Sequence, residues 1–350
     1  MPAISAANAV SPAIQRTREF LFKPFNWATY LKLGLVAILT EGGGGNLNSG
    51  SHGGSSSGHG PNIHAPFHLA PQWIAIIVAA LLFAFLVSIV VFYLVTRLRF
   101  AFFHCLIHNT REIRPGWWLY GAQAARFFWL NLVIAFGFLL VLVAIALPFI
   151  SGFVRLFHEH QQTGNLDFGL LLSLVLPLIP IFLLLILTGI VTDVVLRDWM
   201  LPHIALDDAT AGEAWAQVWA SIRAEKRQFL AYVLLLLVLP VLAMIALFIL
   251  LIIPGLVLAG SLAAVELGLH SAFADATGAQ ALVGLLLEIF FGVLAFGFAL
   301  LASICLGGPI STATREYALV FYGGRYRALG EILYPPAMPP LPESGAPPFA

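Results

Sequence analysis

Three acidic residues stand where a carboxylate is expensive. Glu288, Glu266 and Asp193 each lie within or beside long runs of Leu, Ile, Val, Ala and Phe, and an ionisable group in such surroundings calls for a functional hypothesis. Glu288 falls seven residues into the run 281–306, ~10 Å along a helix axis. Glu266 follows Pro254 towards the same end of the chain's apolar hairpins, and Asp193 closes the run 168–191. Glu288 and Glu266 together could line an outward-facing cavity that binds a cation or relays protons. The alternative is structural, with each carboxylate near an interface, protonated or paired with a hydroxyl or backbone group. Pro177, Pro180 and Pro240 each free a carbonyl inside a run. Broken helices surround transporter sites, though kinks are also ordinary in membrane helices.

Other chemistry is thinner. His104 and His108, in "HCLIH", have the i, i+4 spacing of a zinc pair, with Cys105 pointing elsewhere and no third or fourth ligand evident nearby. His158 and His160, with His52, His59, His64 and His68, would hold a late transition metal only weakly. "EGGGGNLNSG", from Glu41, has the glycines of a phosphate loop. It follows an apolar run rather than a strand and carries no basic residue, so it reads as the root of a tether. No nucleophile elbow, Walker loop, zinc-protease helix or pair of catalytic carboxylates stands in recognisable context. No metal and no cofactor is expected, and the chain leans away from an enzyme.

The elements that must hold these residues are apolar helices. Of 350 residues, 60% are hydrophobic and 10% charged, more apolar surface than a water-soluble domain can hide. Seventeen basic and seventeen acidic residues cancel, which gives no reason to expect nucleic acid as partner. Two cysteines are too few for a disulfide framework. A crossing needs roughly 20 apolar residues, and 73–96, 127–150, 168–191, 229–253 and 281–306 supply them. The run 25–40 is short and contains Lys32; it reads as retained, not as a cleaved signal peptide.

Basic residues decide whether 25–40 crosses. Arg16, Arg18, Lys23 and Lys32 come first, then Arg97, Arg99, Arg111, Arg114 and Arg126, then Arg197, Arg223, Lys226 and Arg227, and finally Arg315, Arg325 and Arg327. If 25–40 crosses, all of these fall on one face and only Arg155 on the other, as the positive-inside rule requires. The expectation is an all-α integral protein with six transmembrane helices in three hairpins and short interfacial helices on the inner face. It divides into a cytoplasmic segment 1–24, a transmembrane domain 25–334 with a Gly/Ser/His-rich outer loop at 41–72, and a disordered Pro-rich tail at 335–350. Both termini are then inside a cytoplasmic membrane. The apolar stretch after Pro254 is expected to break there into an outer-surface or re-entrant helix. Arg97, Arg197 and Arg315 end the returning spans at about hundred-residue spacing, which suggests hairpin duplication.

On the inner face, "TAGEAWAQVWASIRAEKR" has capping-box spacing at Thr210 and Glu213 and an apolar face of Trp215, Val218, Trp219 and Ile222. Such a helix anchors at headgroup depth through Trp215 and Trp219, with Arg223, Lys226 and Arg227 towards lipid phosphates. Trp117 and Trp118, in "RPGWWLYGAQAAR", form a shorter anchor with Pro115 at its start.

The stretch "LPHIALDDATAGEAWAQVWASIRAEKRQFLAY" and, after the last span, "GGPISTATREYALVFYGGRY" resemble the six-helix membrane domain of some bacterial glycerophosphodiester phosphodiesterases and related uncharacterised families, over about 190–330. The resemblance implies six helices but, with no catalytic domain in this sequence, transfers no enzymatic activity. The leading functional expectation is a non-enzymatic scaffold or accessory protein of an envelope or lipid-associated process. Its partners would be the lipid bilayer and a membrane protein or a second copy. The rivals are a small transporter or channel using Glu288 and Glu266, and an intramembrane enzyme without a recognisable motif.

Overall fold

A computed structural model describes residues 4–41, 71–163, 168–273 and 278–335. Among these residues the chain is almost wholly helical, with no strand. The elements are α1 (Val10–Phe22), α2 (Trp27–Glu41), α3 (Pro71–Ile107), α4 (Ile113–Leu119), α5 (Gly121–Thr163), α6 (Phe168–Val194), α7 (Leu201–Leu206), α8 (Ala211–Ala224), α9 (Lys226–Phe273), α10 (Ala279–Gly323) and α11 (Arg327–Leu333), with a π-helical stretch Val195–Met200 between α6 and α7. Five helical stretches are long and apolar enough to cross a membrane: Ala75–Ile107, Gly121–His158, Leu171–Leu206, Lys226–Val265 and Leu282–Gly323. Their apolar surface is largely open, as at Phe83, Leu183, Phe248 and Phe296. In water that exposure is untenable; in lipid it is the stable arrangement.

The helix expected to stop at Pro254 does not. α9 runs 48 residues through both Pro240 and Pro254, ~72 Å by helical rise against a hydrocarbon core of ~30 Å. A proline removes one backbone bond, whereas a break in apolar surroundings would strand several donors and acceptors. Continuing the helix costs less. α6 likewise carries Pro177 and Pro180 without interruption.

The chain divides into two compact units. Among the described residues the first holds 4–41, 105–111, 225–273 and 278–335, and the second 71–104, 112–163 and 168–224. In the first, α9 and α10 form an antiparallel hairpin, with Tyr232 stacked on Tyr317 at 5.0 Å and Phe273 against Gly284. In the second, α5 and α6 are antiparallel, with Leu174 against Gly152 and a cavity lined by Ile134 and Thr188. α2 lies on the C-terminal third of α10.

α2 also runs in the unexpected direction. Tyr30 reaches Cys305, Gly34 meets Gly308, and Glu41 meets Arg315, so positions advance together along both helices. α2 and α10 therefore run parallel, whereas an outgoing first span beside an incoming last one would run antiparallel. The contact is close because it is made of glycine: a Cβ at Gly308 would lie 2.7 Å from the Gly34 Cα. Small residues permit such backbone approach between membrane helices. One turn away, Pro309 leaves the Cys305 carbonyl without its intrahelical donor, and the Tyr30 hydroxyl donates to that carbonyl at 2.7 Å.

Candidate functional site: buried ion pairs at the helix ends

α10 carries two adjacent opposite charges, Arg315 and Glu316, each 1% exposed. Neighbours on a helix point ~100° apart, so the two face different helices. Glu316 accepts from Arg16 of α1, Nε to Oε2 at 2.8 Å, while Arg315 faces Glu41, the last residue of α2, at 3.7 Å. Two N-terminal helices, one offering a cation and the other an anion, thus meet one dipeptide. Removing such charges from water offsets most of their mutual attraction, so their use lies in specifying register.

Arg16, Arg111 and Arg325 of this unit also donate to backbone carbonyls. Arg16 donates further to the Leu106 carbonyl at 3.1 Å and the Leu333 carbonyl at 3.5 Å. Arg111 donates to the carbonyls of Glu19, Lys23 and Pro24. Arg325 pairs with Glu225 at 2.6 Å, donates to the Ile4 carbonyl at 3.0 Å and lies 4.0 Å from the Phe321 ring centroid. Most of these carbonyls lie at or near helix ends, where backbone donors run short, and the guanidiniums add charge-assisted ones.

The second unit repeats the theme in its π-helical stretch, all six residues of which are buried. Arg197 donates to Asp198 at 2.9 Å and lies 3.7 Å from Asp193; Arg99 reaches Asp193 at 3.9 Å. His203 lies 3.6 Å from Asp207. π-bulges widen the helix locally and are frequent at functional sites. Here the bulge places Arg197 and Asp198 together in the core, where α7 and α8 pack.

The acidic candidates separate on this basis. Asp193 belongs to the Arg99 and Arg197 cluster and is 41% exposed. Glu288 is exposed on α10 and lines neither of two apolar cavities, of about 420 and 340 Å³. Glu266 lies on α9, but its side chain is outside the described residues. Those two carboxylates are therefore not brought together by any described contact.

The anchors are better resolved. Trp215 and Trp219 are exposed and stacked at 5.8 Å, with Arg223 5.0 Å from the Trp219 ring; Ala214 and Val218 bury the opposite edge. The capping box forms: the Thr210 N–H donates to Glu213 at 2.8 Å and the Glu213 N–H to the Thr210 hydroxyl at 3.4 Å. The Thr210 backbone bond, then its hydroxyl, holds the Glu213 carboxyl below the ordinary carboxylate value. Lys226 and Arg227 are exposed at the start of α9. Trp118 is 69% exposed, and Arg97 stacks over Trp117 at 4.6 Å and donates to its carbonyl. α4 begins at Ile113, so Pro115 falls inside its first turn rather than at the first position.

The histidine pair dissolves as a ligand set: α3 ends at Ile107, and His104 packs on the Tyr120 ring at 5.7 Å. No group of three His, Cys, Asp or Glu that could hold a metal occurs among the described residues. His52, His59, His64, His68 and residues 42–70 lie outside them, as does the side chain of His160. Glu41 is the exception in the glycine stretch, since it is buried against Arg315.

Sequence reasoning counted Arg16, Arg197 and Arg315 as topology markers and did not see Asp198, Glu316 and Glu41 as their partners. A signal was present in "RDW" at 197–199 and "REY" at 315–317. An adjacent cation and anion followed by an aromatic at the end of an apolar run is a poor surface but a good buried register device. No curated protein and no solved structure matches the chain. A family model matches residues 4–332, and the chain belongs to that family, a family of unknown function (DUF7544).

Proposed function

We propose that this membrane protein is a non-enzymatic, multi-pass scaffold or accessory protein of an envelope or lipid-associated process in a bacterial cytoplasmic membrane. Its helix-end ion pairs lie on the inner side with both chain termini. The observation that carries the reading is where the polar groups are spent: Arg16, Glu41, Arg315 and Glu316 hold one another. The apolar helices meanwhile keep open faces for lipid or a partner. The basic residues at the helix ends and, in the second unit, the exposed Trp118, Trp215 and Trp219 favour an inner interface. The resemblance to phosphodiesterase membrane domains points the same way.

A second reading, transport, rests on Glu288, an acidic side chain among the exposed Leu286, Ile289 and Phe290. One experiment separates the two. The full chain and its Glu288→Gln variant are purified from native membrane, co-purifying proteins and lipids are identified, and ion or proton flux is measured in proteoliposomes. A scaffold retains the same partners in both forms and shows no flux. Flux that the Gln variant abolishes would replace the scaffold with a transporter.

A further inference from the structure

A groove of about 340 Å³ opens between α1, α9 and α10. Its walls are apolar, including Ile14, Ala243, Pro309 and Ala313. Four polar side chains interrupt them, of which Thr17 and Thr314 donate their hydroxyls to carbonyls of their own helices. Tyr317 is 3% exposed, lines the groove, and its hydroxyl has no hydrogen-bond partner. Buried hydroxyls are rarely left so, and each instance asks what accepts from it. Arg18 lies at the exposed edge of the same groove, and no carboxylate pairs with it among the described residues.

We propose that this groove binds one anionic phospholipid: an acyl chain lies along the apolar wall, the Arg18 guanidinium faces the phosphate, and an ester or phosphate oxygen accepts from Tyr317. The chemistry is complementary at each point, since a guanidinium prefers phosphate and a buried phenol needs an acceptor. The volume lies within the ~300–1,000 Å³ of small-ligand sites. In a membrane protein the medium beside an apolar groove is itself the ligand source. The inference requires only that the protein sits in a bilayer, so it stands or falls separately from the scaffold reading.

The test is photo-labelling of the full chain in vesicles of phosphatidylcholine and phosphatidylglycerol, with a diazirine on the acyl chain of either lipid. Mass spectrometry then maps the label. Labelled phosphatidylglycerol is expected on the segments around Ile14, Ala243 and Ala313, roughly tenfold above phosphatidylcholine for a difference near 1.4 kcal/mol. Ala313→Trp fills the groove and removes the label. Arg18→Gln equalises the two lipids, and Tyr317→Phe, which keeps the shape, weakens both. Equal labelling of wild type by the two lipids overturns the proposal. So does label that survives Ala313→Trp in a folded protein, undiminished labelling of Tyr317→Phe, or capture of residues 42–70 or 336–350 in the groove instead of lipid.

Discussion

Replacing Arg315 by Met takes the guanidinium from beside Glu41, whose side chain is 4% exposed. A buried charge that loses its counter-charge costs about 3–5 kcal/mol, whereas exchanging both members for apolar residues is often neutral. Arg315→Met is therefore expected to lower stability by about that amount, and Arg315→Met with Glu41→Met to recover most of it, measured by denaturant unfolding of the purified protein. A loss of about 1 kcal/mol or less from the single change would mean that the pair behaves as if it were exposed. Tyr30 shows the same economy on a smaller scale, because its hydroxyl serves the carbonyl that Pro309 leaves open. None of these partnerships could be read from spacing. They join residues about 300 and 275 positions apart, and a single sequence records no pairing at that range.

Elements were legible where a short-range rule governs them. The five long apolar runs became helices because lipid leaves the backbone no other way to satisfy its groups. α8 followed its capping box and its tryptophans. Prolines misled at Pro254, where a rule from soluble helices gave way to the cost of stranding backbone groups in an apolar setting. The capping box makes a prediction in pH. Glu213 is held below its ordinary value of 4.5, so its stabilisation of α8 is present above that value and is lost as pH falls through the depressed folded value. Thermal unfolding of wild type and Glu213→Gln should differ near neutral pH and converge on acidification. A gap that persists at low pH would show that the carboxylate charge is not what stabilises the turn.

For the whole molecule, composition and charge placement were enough to state an all-α membrane protein, and five helices fit that expectation. The direction of α2 along α10 was not legible, because length and the positive-inside rule count charges without asking whether they face water. Arg16 and Arg315 do not stand as free surface charges: they bind Glu316 and Glu41 and clamp α1 and α2 to α10. That clamp is the central claim, and the direction of α2 is its sharpest consequence. In a chain with Cys105 and Cys305 replaced by Ala, cysteine pairs can be introduced and challenged in membranes with a short bifunctional thiol reagent. The parallel register predicts cross-links for Glu41→Cys with Arg315→Cys and for Ile38→Cys with Gly307→Cys, and none for Trp27→Cys with Arg315→Cys. Cross-linking of 27 to 315 in place of 41 to 315 is what an antiparallel, outgoing α2 requires, and that result would contradict the clamp.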